Sequence, residues 1–397
     1  MRALPEAGRT NGSGRDVLAV ATLFVTNGLA VGVFGGSLPG LRAHLSLQAG
    51  HIVGVLVAAA VFAVASMNLS GPLSDRVGAR VPSLVGGVGM AVGAVVIGAA
   101  SGYPLLLVGA AIFGLGNGAM DVSMNTLGVS VEQARGRPVM SRLHASFSVG
   151  GLTGALVVVV LGRLVAADDS PRWSLWGGAL LVVVLLAAAL SSTPQSPPRD
   201  VPGRAGRGAG GGSGLPAVAW LLAAMAVCFG LTEGTAVDWS SLHVTDVGHV
   251  SPSSGAWGLA CVSAFMVAIR LLGDVVVERV GRAAVVRSGA LCALIGYLLT
   301  ALTSGLALIL VGWCLVGLGV GLVAPQIYGL AGHIGGGRGL ALVVSFGYAA
   351  FLVGPAVIGF VAARSSLQHA MLVPVVTAVG LIAMSARLPA DPVPRAD

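Results

Sequence analysis

The chain has 397 residues, 55% of them hydrophobic and 9% charged, against roughly 25% charged in ordinary soluble domains. So little polar surface cannot cover a water-facing globule of this size, and the composition places the chain in a bilayer. The net charge is +7 and all 22 basic residues are arginine, but they are scattered between apolar runs and form no basic stripe with interleaved aromatics, which argues against nucleic acid as a partner.

A helix needs about 20 apolar residues to cross roughly 30 Å of hydrocarbon. Solid runs such as ALVVVVLG (155–162) and LLVVVLLAAAL (180–190) fit helices, whereas a membrane barrel would show short alternating segments. Residues 1–16 read as a tail. Apolar runs then predict spans at 17–43, 48–70, 81–101, 104–130, 140–165 and 173–191. The stretch SSTPQSPPRDVPGRAGRGAGGGSG (191–214) is too rich in Pro, Gly and Ser for a packed helix and reads as a linker. Six more spans follow at 216–243, 253–273, 283–303, 305–329, 339–363 and 369–388. The plan is an all-α membrane protein of twelve transmembrane helices: one half at 17–191, a linker at 192–215, a second half at 216–388 and a tail at 389–397.

Arginine counts orient the chain. With the N-terminus cytoplasmic, eighteen arginines, Arg270 among them, fall on the inside, and only Arg42, Arg163, Arg172 and Arg364 fall outside. Both ends are therefore expected in the cytoplasm, in a cell (inner) membrane. The four cysteines sit inside apolar runs without metal spacing and read as packing residues.

The halves repeat at a constant offset of 203. DRVG (75–78) matches ERVG (278–281), GLGNG (114–118) matches GLGVG (317–321), and Arg135-Gly136 matches Arg338-Gly339. The physical reading is two six-helix halves in parallel repeat, with a binding site between them near the midplane. GPLSDRVGAR (71–80) resembles the loop signature of the major facilitator superfamily, and ERVGR (278–282) resembles its degenerate second copy. NGAMDVSMNTLGVSVEQARGRPVMSRLHASFSVGG (117–151) and EGTAVDWSSL (233–242) further resemble the YbjJ-type branch, related to fucose permease. The resemblance implies that spans 1, 4, 7 and 10 line a central cavity. The superfamily's usual Arg early in span 4 is Ala110 here, so a mechanism relying on that Arg does not carry over.

Ionisable side chains in hydrocarbon are costly and point to function. Asp121, Glu233 and Asp238 are the acids well inside the spans. Asp121 shares a helix face with Asn117 and Asn125, four residues to either side, and this stripe suits either a cavity or an interhelical hydrogen-bond ladder. Glu233, flanked by Gly230 and Gly234, is the first choice for a protonatable group, with a kink at the glycines letting it reach the cavity; the alternative is a carboxylate tied to Thr232, Thr235 or backbone. His144, on one face with Ser141, Ser148 and Gly151, is a third candidate for proton transfer or a packed histidine. Asn27, Gln326, Tyr328 and Trp313 are candidate cavity contacts or helix-packing residues. Asp238 and Trp239, near the outer mouth, are expected at an outer gate.

Asp75, Arg76 and Arg80, with Glu132 and Arg135 in the first half and Glu278 and Arg338 in the second, are expected at a cytoplasmic gate whose charged pairs form in one conformation and separate in the other. By resemblance, Asp75 would meet the N-terminal end of span 11, where the helix dipole favours an anion.

No ATP-binding signature exists, and without lysine none is possible. The sequence also lacks H-E-x-x-H and G-x-S-x-G, which argues against a polytopic enzyme. The expected function is secondary active transport of a small organic solute, coupled to protons, working as a monomer with no cofactor and no metal. An apolar cavity suits efflux of an amphipathic compound; uptake of a sugar-like solute, or a transporter-like sensor, are the alternatives.

Overall fold

A computed structural model describes residues 14–137, 139–194 and 216–388. The expected C-terminal tail, and most of the linker and N-terminal tail, lie outside the described residues. Twelve helices are long and apolar enough to cross a membrane: α1 Gly14–His44, α2 Ala49–Ser74, α3 Arg80–Gly98, α4 Tyr103–Arg135, α5 Met140–Leu164, α6 Ser170–Leu190, α7 Ala217–Gly248, α8 Pro252–Leu271, α9 Arg282–Leu302, α10 Leu306–Ala331, α11 Leu342–Arg364 and α12 Leu367–Ser385. No strand occurs among the described residues. Lipid replaces water as the outer solvent, so large apolar side chains such as Leu69, Leu164, Leu180 and Val376 stand exposed on the outer faces of the helices. Twelve crossings return the chain to the face on which α1 begins, called here the terminal face; the opposite one is the far face.

The 203-residue repeat of the sequence is a repeat of contacts. Gly114 of α4 packs on the Ala59 carbonyl of α2, and Gly317 of α10 packs on the Val262 carbonyl of α8. Gly86 meets Gly116 and Met120, and Gly289 meets Gly319; Gly93 meets Phe113, and Gly296 meets Val316. Each pair reappears 203 residues on, so both halves are built by the same glycine-mediated close approach of backbones, the small-residue packing that holds membrane helices together. The loop signatures repeat too. Gly78 and Gly281 adopt φ of 81° and 79°, a backbone region that costs a side chain but not glycine.

Several boundaries depart from the sequence reading, two of them most. Helical backbone after α2 runs on to Val77, and it is unbroken from Val323 to Arg364, where a loop was expected between 329 and 339. Continued i→i+4 bonding satisfies backbone groups at the membrane edge that an irregular loop would leave to water. After α8, a separate short helix, Gly273–Val280, precedes α9.

Between the halves, α5 and α8 lie against each other along their length. Gly162 meets Ser253 towards the far face and Gly151 meets Ser263 in the middle. At the terminal end, His144 and Ser148 meet Arg270. On the other side of the molecule Val53 of α2 packs on Gly359 of α11.

Candidate functional site

Helix α7 is continuous from Ala217 to Gly248, so the backbone does not unwind at Gly230 and Gly234. The two glycines serve a different purpose: Gly230 lies against the Gly347 carbonyl and Ala350, and Gly234 against Phe351, letting α11 approach α7 closely. The neighbouring threonines are committed elsewhere. Thr232 donates to the Cys228 carbonyl and lies against the Thr377 hydroxyl, and Thr235 donates to the Leu231 carbonyl. Glu233 instead meets Arg270 of α8.

Arg270 is the residue that sequence reasoning misplaced. Counted as a loop arginine setting orientation, it is 7% exposed and buried where the halves meet. Its Nε donates to the Gly321 carbonyl at 3.0 Å and its Nη1 to the Ser148 hydroxyl at 2.6 Å and the His144 carbonyl at 3.2 Å. Its Nη2 donates to Glu233 Oε1 at 3.2 Å, and the Glu233 side chain is 14% exposed. One guanidinium thus ties α5 of the first half to α7 and α10 of the second, as its planar fork of five donors allows. The signal was present: Arg270 is flanked by Ala268-Ile269 and Leu271-Leu272, an apolar context unlike that of a topogenic loop residue.

Asp121 makes the second polar link between the halves. Tyr348 of α11 donates its hydroxyl to Asp121 Oδ2 at 2.9 Å, and the Asn125 amide donates to Oδ1 at 3.3 Å and to the Asp121 carbonyl at 2.8 Å. The stripe of Asn117, Asp121 and Asn125 is partly buried throughout. Tyr328, partly buried in α10, sets its hydroxyl against Gly347 and interacts electrostatically with both Glu233 and Asp121, so the two carboxylates belong to one region. Tyr297 of α9 donates to the Thr232 carbonyl and also feels Glu233. Gln326 is partly buried beside Tyr328 in sequence.

At the far face, Arg42 of α1 makes a two-pronged ion pair with Asp246 of α7, joining the halves. Trp239 lines a small cavity with Arg42 and Asp246; Asp238, partly buried two turns of helix before Asp246, is not a member of this pair.

Several expected site residues sit elsewhere. Asn27 is buried within the first half, its amide on Met90 Sδ at 3.8 Å. Trp313 is wholly buried in the second half, edge-on to His243 and Tyr297. Each makes its contacts within one half. His144 contributes its backbone carbonyl, while its ring packs edge-on to Phe24. Glu132 accepts from the backbone N–H groups of Val139 and Met140 and so caps the start of α5 within its own half, where the helix dipole favours an anion. Arg80 donates to the Leu190 carbonyl at the end of α6, again inside one half. Neither is a latch between halves in this structure. Arg76, Arg135 and Glu278 are exposed at helix ends. The side chains of Asp75 and Arg338 lie outside the described set. All four cysteines are free, and no metal-binding group of His, Cys, Asp and Glu occurs among the described residues.

Comparison with known proteins matches residues 20–338 to the family model of the Major Facilitator Superfamily. The uncharacterised transporter y4wD of Sinorhizobium fredii is 32% identical over 88% of this chain and 92% of its own length. The membrane protein MosC of Rhizobium meliloti is 29% identical over 96% of this chain and 92% of its own. Among solved structures, the nucleoside transporter NupG superposes with a TM-score of 0.74 at 13% identity, covering 94% of this chain and all of NupG. The proton:xylose symporter XylE superposes at 0.69 and 15% identity over 95% and 96% of the two chains. With a family model covering most of its length, the chain belongs to the Major Facilitator Superfamily and is a twelve-span membrane transporter of a small-molecule solute.

Proposed function

We propose that the protein is a proton-coupled secondary transporter, moving a small organic solute by alternating access between its two halves, with both ends of the chain in the cytoplasm. The observation that carries this reading is Glu233, a carboxylate inside the membrane, paired through Arg270 with the opposite half. A residue whose charge holds two rigid bodies together is suited to a transport cycle, because adding a proton changes the free energy of the junction without any other chemistry. Asp121 is the second proton site, held across the junction by Tyr348. The far-face pair Arg42–Asp246 closes the outer side in this conformation and must separate when the site opens outward. Asp75, Arg76, Arg135, Glu278 and Arg338 remain the proposed cytoplasmic gate. The ion pair also bears on the expected apolar cavity: a guanidinium and carboxylates between the halves favour a polar or charged solute over a lipophilic one.

The test is flux in proteoliposomes under an imposed pH gradient. Wild-type protein should accumulate solute against its gradient, a protonophore should abolish this, and Glu233→Gln should lose it. Accumulation by Glu233→Gln equal to wild type would remove Glu233 from the coupling role.

A further inference from the structure

We infer that Arg270 is the cargo-binding cation and that the cargo is a small organic anion, whose carboxylate replaces that of Glu233 on the guanidinium once Glu233 takes up a proton. The inference rests on the transport reading above and assigns its substrate class.

Three features lead to it. First, Arg270 is held mainly by neutral acceptors: the Gly321 and His144 carbonyls and the Ser148 hydroxyl take Nε and Nη1. These bonds persist when Glu233 is neutralised, so the cation stays in place. Second, the Glu233 bond is a single contact of 3.2 Å through Oε1, not the two-pronged fork that makes arginine–carboxylate pairs strong. Glu233 is also the more exposed partner, at 14% against 7%. The carboxylate is therefore the replaceable member of the pair and occupies the position a cargo carboxylate would take. Third, a buried guanidinium that loses its counter-ion is strongly disfavoured. Protonating Glu233 alone leaves that buried charge without a counter-ion, and protonating it together with anion entry does not. Proton and anion thus enter as one neutral package, and neither is favoured without the other, which is the linkage a symporter needs.

The groups around Glu233 support this balance. Arg270 faces it from α8, Tyr297 from α9 and Tyr328 from α10. Tyr348 of α11 is committed to Asp121. Helix α12 carries one titratable ring, His369, in its first turn at the far face against Ser366, and the charged residues of α1 lie at its ends, Arg42 being paired with Asp246. The described neighbours therefore offer Glu233 one cation, Arg270. Proton uptake places the hydrogen on a Glu233 carboxyl oxygen and leaves the guanidinium charged, so the loaded site, neutral Glu233 with Arg270 and the anion, has the same net charge as the empty Glu233–Arg270 pair.

The experiment uses the full chain in nanodiscs and a matched series of probes: benzoate, benzyl alcohol and benzylamine. Saturable thermal stabilisation reports binding, and a pH dye in weakly buffered solution reports proton uptake. Benzoate should stabilise wild type and draw in a proton for each molecule bound, while the alcohol and the amine should do neither. In Glu233→Gln, benzoate should still bind, without proton uptake. Arg270→Gln should lose binding. Arg270→Lys keeps the charge without the fork and guards against a folding defect; it should bind about tenfold more weakly. The proposal is overturned if benzylamine gives the response expected of benzoate, if Arg270→Gln responds as wild type does, or if none of the three probes gives a saturable response. Failure of the transport reading is distinguishable: benzoate binding with proton uptake, but no movement across a proteoliposome under a pH gradient, would leave the anion site standing and remove transport.

Discussion

Two carboxylates cross the junction between the halves inside the membrane, and their surroundings differ. Asp121 on α4 receives hydrogen bonds from neutral donors, Tyr348 and Asn125. Glu233 on α7 receives one from a guanidinium that also grips α5 and α10. A neutral donor serves either protonation state of its partner, whereas a buried cation is sensitive to it. The Glu233 junction is thus the one whose strength a proton changes most. The repeat sharpens this contrast. Residues 203 positions before Glu233 and Arg270 are Ala30 and Met67, and the one 203 after Asp121 is Ala324. Glycine packing is shared by both halves, but the charges belong to one half each, which marks them as additions to a symmetric scaffold.

Removing the cation should have the largest effect. Arg270→Gln leaves Glu233 without its partner, at a cost of about 3–5 kcal/mol, read as a lower unfolding temperature of the purified protein. Adding Glu233→Gln to that variant should restore part of the loss; purely additive losses would mean the two residues do not act as a pair. The symmetric scaffold is tested next. Gly114→Ala and Gly317→Ala should each cost about 1–3 kcal/mol through overpacking, and by similar amounts, since each meets a backbone carbonyl of the partner helix. A large cost in one half only would break the equivalence. Tyr348→Phe removes a single neutral donor from Asp121 and should cost about 1 kcal/mol, well below Arg270→Gln; equal losses would erase the distinction drawn between the two carboxylates. Smallest is Arg42→Ala at the far face. That pair is partly exposed, 24% and 32%, so its loss should cost less than about 1 kcal/mol. It should still increase labelling of a cysteine placed at Trp239, which lines the cavity beside the pair. Unchanged labelling would remove Arg42 from the outer gate.

The twelve spans and the repeat were legible because hydrophobic length and glycine position are local properties. The polar stripe on α4 was legible for the same reason, since Asn117, Asp121 and Asn125 share a face by spacing alone. Partners were not. Tyr348 reads as one more aromatic in an apolar run, and only the folded chain brings it to Asp121. Arg270 was hidden by its position at the end of a span, where an arginine ordinarily reports topology. Arg42 and Asp246 lie 204 residues apart and read separately as loop charges. Glu132 and Arg80, expected at a cytoplasmic gate, bind backbone groups at nearby helix ends, a competition that spacing does not reveal.

The central claim is that Glu233 exchanges a proton within the membrane, and infrared difference spectroscopy of hydrated proteoliposomes between alkaline and acidic pH tests it without knowledge of the cargo. The account predicts a reversible protonated-carboxyl C=O band in wild type that is missing from Glu233→Gln. Superimposable spectra from the two proteins would contradict it.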